Sequence, residues 1–402
     1  MSPENRIHSL AGTFGTVESF RLCTEGLQAL ERYERQPAEK GNLKKAEERF
    51  QECVAKYPDE MLPKFYLGSV KTLRGYTGLD EAVPLLQSVV EQGTPDLQFA
   101  AQFNLAAAYI EKYEPRAFDK AENLLLNLVD KASSQDAEDQ RLLWWSRAIL
   151  LYIYAERIWK TRENEVKPDP STVSDLIRKF DAFKEQLDES PFRQDAAILA
   201  EYWNAFGTLT EARAFFEPAR NKEFGEEAKE AFSRALSYRP GWMGYRQNLA
   251  RVYGDVFKDY DTAFRIWNEL LEIRPDGHYI HYNLGKLYYQ LELRDLARGH
   301  LKKAVISWLP EAQALLEKMG QEDSEILKDP DIAIKRLKEL LKMHPDGHYI
   351  HYSLGKLHYH HEQLDLAREH LKEAVPEIPQ AQELLDKLDR EDTTQYGESL
   401  SQ

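Results

Sequence analysis

Residues 275–305, PDGHYIHYNLGKLYYQLELRDLARGHLKKAV, recur seventy positions later as PDGHYIHYSLGKLHYHHEQLDLAREHLKEAV, with eight differences in 31 positions. The likeness runs outward from there. DTAFRIWNELLEIRP and DIAIKRLKELLKMHP precede the two copies, and PEAQALLEKMGQED and PQAQELLDKLDRED follow them. One residue is gained or lost between Val305 and Pro310 relative to Val375 and Pro379. A copied unit of this size implies an array whose units stack on their neighbours, not one compact globule.

Within each copy the period is helical. His281, Leu284, Gly285 and Tyr288 fall at i, i+3, i+4 and i+7, one stripe of a helix. After a short polar turn, Ala297, Leu301 and Ala304 make a second stripe, and Pro310 follows. Small residues at Gly285, Ala297 and Ala304 let two antiparallel helices approach closely, with Leu284 and Leu301 filling the space between them. In the second copy Leu354, Gly355, Ala367, Leu371, Ala374 and Pro379 repeat the pattern, and His358 replaces the tyrosine. Ala333, Leu337, Leu340 and Pro345 read as the second helix of a weaker repeat between the copies.

These residues resemble the tetratricopeptide repeat, W-x2-L-G-x2-Y followed by A-x3-F, A and P over about 34 residues. The same pattern is legible elsewhere. Leu249, Ala250 and Tyr253 precede Ala263, Trp267 and Pro275, with one extra residue in the turn. Trp203, Phe206 and Gly207 lead, after an insertion, to Ala228, Phe232, Ala235 and Pro240. Nearer the N-terminus stand Ala46, Phe50, Cys53 and Pro58, then Leu67 and Gly68 with Ala82, then Leu105, Ala106 and Tyr109 with Ala121. The resemblance implies an all-α fold, a right-handed superhelical solenoid of antiparallel helix pairs.

Residues 137–194 fit the repeat poorly. A long aromatic helix, LLWWSRAILLYIYAERIW (Leu142–Trp159), is followed by RENEVKPDPS, and another helix is expected near Thr172 with Asp175 closing a capping box. The expected organisation is therefore an N-terminal segment over 1–18, a first array over 19–135, a divergent helical connector over 136–194, a second array over 195–390 and a disordered polar tail over 391–402. Arg147, Glu156 and Arg157 make the aromatic helix too polar for a bilayer span.

Composition narrows the function classes. A net charge of −15 over 402 residues argues against a protein that coats nucleic acid or an anionic membrane, DNA included. Two cysteines, Cys23 and Cys53, supply neither a disulfide framework nor a zinc set, although they could form one bridge. No signal-peptide pattern opens the chain, and the expectation is a cytoplasmic protein without membrane insertion. No phosphate-binding Gly-Lys-Ser/Thr loop, His-Glu-x-x-His or Gly-x-Ser-x-Gly is present, so neither an enzyme nor a cofactor is expected. Ten of the eleven histidines lie between His278 and His370. Copying one surface doubles its histidines automatically, and they read as structural, not as metal ligands.

The tyrosines carry the functional expectation. Tyr279, Tyr282, Lys286 and Tyr289 are spaced three, four and three apart, and Tyr349, Tyr352, Lys356 and Tyr359 repeat them without change. Four of the eight differences between the copies, at 290, 291, 293 and 294, fall in the turn. The resemblance implies that this face of each first helix lines a concave groove that grips a partner. It also implies backbone-holding roles for Asn104, Asn248 and Asn283, while Arg251 takes the place of Lys286 one repeat earlier. Tyrosine suits such a surface, since it buries a large ring with little rotamer entropy and keeps a hydroxyl. The leading expectation is a non-enzymatic adaptor that holds an extended protein segment or an acidic C-terminal tail. RNA held on the same basic–aromatic face and a structural subunit of a larger assembly are the alternatives. Oligomeric state is not encoded in any of these features.

Overall fold

The computed structural model of the chain describes residues 15–35, 40–112, 115–130, 137–161, 166–305, 309–326 and 330–399. Most of the expected N-terminal segment and the last three residues of the expected tail lie outside the described residues. Among the described residues the chain is all-α, with nineteen α-helices and no strand. It divides into two compact units, Met1–Ala212 with Ser233–Trp242, and Arg213–Phe232 with Met243–Gln402.

The first unit contains α1 (Val17–Arg35), α2 (Lys40–Lys56), α3 (Met61–Leu73), α4 (Tyr76–Gln92), α5 (Pro95–Lys112), α6 (Pro115–Asp130), α7 (Ala137–Lys160) and α8 (Pro170–Glu189). The helices α9 (Ala196–Phe216) and α10 (Asn221–Tyr238) divide their residues between the units. The second unit holds α11 (Met243–Arg251), α12 (Tyr260–Ile273), α13 (His278–Gln290), α14 (Arg294–Ala304), α15 (Pro310–Ile326), α16 (Pro330–Met343), α17 (His348–His360), α18 (Leu364–Ala374) and α19 (Pro379–Ser399).

Successive helices pair closely, and the pairs share one crossing. Where α13 meets α14, a Cβ on Gly285 would lie 2.7 Å from Leu301 Cγ, and in α17–α18 Gly355 stands 2.7 Å from Leu371 in the same way. The first unit repeats the device, with Gly68 of α3 against Leu86 of α4 and Gly26 of α1 against Phe50 of α2. A hydrogen on one helix admits a large side chain from the other, bringing the axes close enough to bury both apolar stripes. Leu284, Ala297, Leu301 and Ala304 are fully buried as a result, and Leu354, Ala367, Leu371 and Ala374 match them.

Four local expectations are corrected. α8 starts at Pro170, with the Asp169 carboxylate accepting from Ser171 N–H at 3.2 Å; Asp175 pairs with Arg178 and forms no capping box. Proline at the first helical position needs no N–H partner and is preset for the helix, so the start moves forward. The extra residue between Ala250 and Ala263 is absorbed not in the turn but as a π-helical stretch, Val252–Phe257, ended by left-handed Lys258. α19 continues through most of the expected tail to Ser399, since no proline interrupts it. The weaker repeat between the copies does not close as a tight hairpin: α15 only grazes α16, while α16 packs on α17 as α12 packs on α13. Met319 and Gly320, 35 positions after Leu284 and Gly285, hold their places, yet a Cβ on Gly320 would meet nothing within 4 Å, so no helix crosses closely there.

The aromatic helix of the middle region behaves as expected. In α7 Leu143, Ser146, Ala148, Leu151, Ile153 and Ala155 are all buried, and α7 packs between α6 and α8. No helix among the described residues is long and apolar enough to cross a membrane.

Candidate functional site

The duplicated helices α13 and α17 begin alike. In each, a Pro-Asp-Gly turn is closed by a hydrogen bond from the glycine N–H to the carbonyl three residues earlier, Gly277 to Arg274 and Gly347 to His344, at 3.0 Å. Glycine in the N-cap position supplies no capping oxygen, so the first amides of both helices need partners from elsewhere.

In the first copy the stripe is held from outside its own helix. Arg251 at the end of α11, itself buried, donates from Nη1 to the Tyr279 hydroxyl at 3.0 Å. The Tyr279 ring meets Trp267 of α12 edge-on at 6.3 Å and tilts against Tyr282 at 6.4 Å. Lys286 forms an ion pair with Asp255 at 2.7 Å, reaching back to the π-helical stretch. Tyr289 lies under Arg294 at 4.9 Å and near Lys318 of α15 at 5.8 Å. Arg294 is fixed in turn by Glu292, which also binds Arg336 of α16 at 2.7 Å. Tyr282 and Tyr289 are half-buried, so their rings keep some open surface beside rigid neighbours.

The second copy uses the same residue types differently. Tyr349 stacks on Phe264 of α12, ring centroids 3.9 Å apart, and meets Tyr288 edge-on at 6.3 Å. Its backbone N–H donates to Asp261 Oδ1 at 3.3 Å, and that of His348 to Oδ2 at 3.0 Å. Asp261 thus supplies the cap that Gly347 cannot. Burial raises the Asp261 carboxyl above the usual range, against the pull of these two amides. Burial likewise raises the Tyr349 and Tyr352 hydroxyls, and Tyr352 is only 8% exposed. Lys387 of α19 stands over Tyr359 at 5.1 Å. Lys356 is half-buried and makes no ion pair among the described residues.

The asparagines turn inward. Asn283 donates to the Tyr279 carbonyl of its own helix at 2.8 Å, and Ser353 makes the same bond to Tyr349 at 2.7 Å. That shared bond explains how serine can replace asparagine between the copies. Asn248 is buried in the second unit. Asn104 belongs to the first unit, where its amide donates to Ser69 Oγ at 2.8 Å. Of the residues singled out in the sequence, α11–α13 thus brings Arg251, Tyr279, Tyr282, Asn283 and Lys286 together, while Tyr349 and Tyr352 are drawn into packing.

Sequence reasoning missed the contact between α12 and α17, and with it a cleft. Asp261, Glu269, Glu272 and Glu377 line that cleft together with Arg265, Asn268 and Tyr349. Four carboxylates against one guanidinium make it acidic, where a cationic surface was expected. Only the bare glycine at the N-cap of α17 hinted that a partner had to come from another helix.

Residues 327–382 match the family model of the tetratricopeptide repeat. Among solved structures, the tetratricopeptide-repeat domain of P58(IPK) is 17% identical over 91% of this chain and 97% of its own, at a TM-score of 0.24. Yeast Tom70 is 12% identical over 93% of this chain and 75% of its own, at 0.31. The human IFIT1 dimer with PPP-AAAA is 14% identical over 93% of both chains, at 0.35. No curated protein matches. The family match thus places a tetratricopeptide repeat at residues 327–382, and the glycine-on-leucine crossing found there at Gly355 recurs outside it at Gly68 and Gly285.

Proposed function

We propose that the chain is a non-enzymatic adaptor that holds an extended, carboxylate-bearing segment of a protein partner along α13, and so recruits or regulates that partner. Tetratricopeptide repeats are in general protein-interaction scaffolds. The observation that carries the finer reading is the immobilised stripe of the first copy. Arg251 fixes the Tyr279 ring, Asp255 fixes Lys286, and Arg294 covers Tyr289, leaving the half-buried Tyr282 between rigid neighbours. Aromatic side chains already locked in place lose little entropy when a partner settles on them. Tyr352, being buried, belongs to the packing of the second copy and not to the recognition surface.

The test is capture from native extract followed by mass spectrometry, comparing the full chain with a Tyr282→Ala/Tyr289→Ala variant whose helicity and unfolding midpoint match. A protein recovered by the parent and lost by the variant is the expected result. Recovery of the same proteins by both removes α13 as the binding face and favours a structural subunit working through other surfaces. Recovery of RNA, read from the ultraviolet absorbance ratio and confirmed by loss at high salt, would replace the protein segment with a nucleic acid.

A further inference from the structure

The duplication copied a histidine clasp as well as a tyrosine stripe. In the first copy His281 Nδ1 faces His300 Nδ1 at 3.0 Å, joining α13 to α14, and His281 Nε2 lies 3.0 Å from the Pro275 carbonyl. In the second copy His351 Nδ1 faces His370 Nδ1 at 3.0 Å, joining α17 to α18, and His351 Nε2 lies 3.0 Å from the Pro345 carbonyl.

The tautomers follow from these partners. A carbonyl oxygen only accepts, so His281 must carry its proton on Nε2. Its Nδ1 is then a lone pair, and His300 must donate to it from Nδ1–H. The same reasoning gives His351 the Nε2–H form and His370 the Nδ1–H form. Each pair has room for one further proton at most, on Nε2 of His300 or His370. A second proton would set two N–H groups against each other across 3.0 Å and break the bond.

We propose that the two histidine pairs are acid-opened clasps, each holding its helix hairpin shut at neutral pH and releasing it on acidification. The unfolded chain binds a proton on all four imidazoles once the pH is below about 6.5, and the closed pairs accept no more than one each. Closure therefore excludes at least one proton per hairpin. Each excluded proton shifts the opening equilibrium about tenfold per pH unit toward the open form. Because burial lowers the native pKa values of His281, His300 and His370 below the unfolded one, the stabilisation is complete above about pH 6.5 and drains away as the pH falls.

Burial and the neighbouring lysines act in the same direction, while the Asp276 and Glu369 carboxylates oppose it more weakly. Asp276 before α13, His278 on α13 and Lys303 on α14 face the first pair. His358 on α17, Glu369 on α18 and Lys338 on α16 face the second. Burial, reinforced by the paired imidazole and by the nearby lysine, holds His300 and His370 down to about 4. The ring of Tyr288 lies 5.4 Å from His300, and that of His358 lies parallel to His370 at 5.6 Å. This inference stands on the hairpins alone and does not depend on what α13 binds. It does place the tyrosine stripe on two helices that acid would loosen.

Hydrogen exchange of the full chain tests it, at about pH 7 and about pH 5, corrected for intrinsic exchange rates. Protection of 278–304 and 348–374 should fall about tenfold per pH unit relative to the α3–α4 hairpin, which holds no histidine. In His300→Asn/His370→Asn the asparagine amide can donate to a neutral partner, or flip and accept from a protonated one, so the extra acid loss should be largely abolished. Equal protection of the two hairpins at both pH values in the parent chain, or an undiminished loss in the variant, would overturn the proposal. Nitrogen NMR of the parent's imidazoles decides the matter independently of the variant's folding. His281 and His351 should stay Nε2–H, with His300 and His370 Nδ1–H, down to about pH 6, whereas four histidines titrating independently near 6.5 would refute the clasp.

Discussion

Asp261 of α12 and Tyr349 of α17 stand 88 residues apart in the chain, yet the Asp261 carboxylate accepts the Tyr349 amide at 3.3 Å while the Tyr349 ring stacks on Phe264, one turn away. One helix thus caps and packs the start of another. Replacing Asp261 with alanine should destabilise the second unit by about 1 kcal/mol, the ordinary cost of losing a cap. Asp261→Asn keeps an accepting oxygen and removes a charge that burial disfavours, so it should be close to neutral. The sign of the pH effect follows. A carboxyl with a raised native pKa favours folding more below that pKa than above it, so the parent should lose its advantage over Asp261→Asn as the pH rises through the carboxylate range. Urea midpoints of the three proteins at about pH 4 and about pH 7 check this.

Local patterns explain what the sequence reveals and what it hides. The glycine-on-leucine crossings were legible because Gly285–Leu301 and Gly355–Leu371 each lie within one local hairpin. The different fates of Tyr279 and Tyr349 were not, since identical neighbours in sequence meet Trp267 in one copy and Phe264 in the other. Asn283 has the residue type that could hold a peptide, yet its own helix takes the amide. Lys286 looked available for a carboxylate because Asp255, which neutralises it, sits 31 positions earlier.

Two glycines of the first duplicated hairpin should respond oppositely to alanine. At Gly285 the new methyl would lie 2.7 Å from Leu301 Cγ and 3.2 Å from the Ala297 carbonyl, whereas at Gly299 it would meet nothing within 4 Å. Gly285→Ala should therefore cost about 1–3 kcal/mol by overpacking. Gly299→Ala should gain about 0.5–1 kcal/mol, since it only restricts the unfolded chain and improves helix propensity. Thermal midpoints moving in opposite directions would bear this out.

Cys23 and Cys53 lie buried between α1 and α2 with their sulfurs 3.8 Å apart, both as free thiols. Burial raises both thiol pKa values, and a thiol is nucleophilic only once ionised. Neither should be alkylated appreciably by iodoacetamide at about pH 8 in the folded chain, and both should react on addition of denaturant. Mass spectrometry of the labelled chain reads the difference. Rapid labelling under native conditions would contradict the packing of α1 on α2.

Asp255 bears on the charge of the proposed binding face, because its carboxylate pairs with Lys286 at 2.7 Å. If the partner brings a carboxylate to α13, Asp255 competes with it, and Asp255→Asn should tighten binding several-fold. Lys286→Gln should weaken binding by a similar factor, and the gain from Asp255→Asn should vanish when the two changes are combined. Lys286 keeps about a quarter of its side chain exposed, so losing its partner lets water solvate the ammonium at little cost in stability. The affinity change should also shrink with added salt, as expected for partly exposed charges. Titration of each variant against the captured partner distinguishes the cases. Weaker binding by Asp255→Asn would mean that the partner is basic, and that the acidic cleft around Glu269 and Glu272, not Lys286, gives the surface its charge preference.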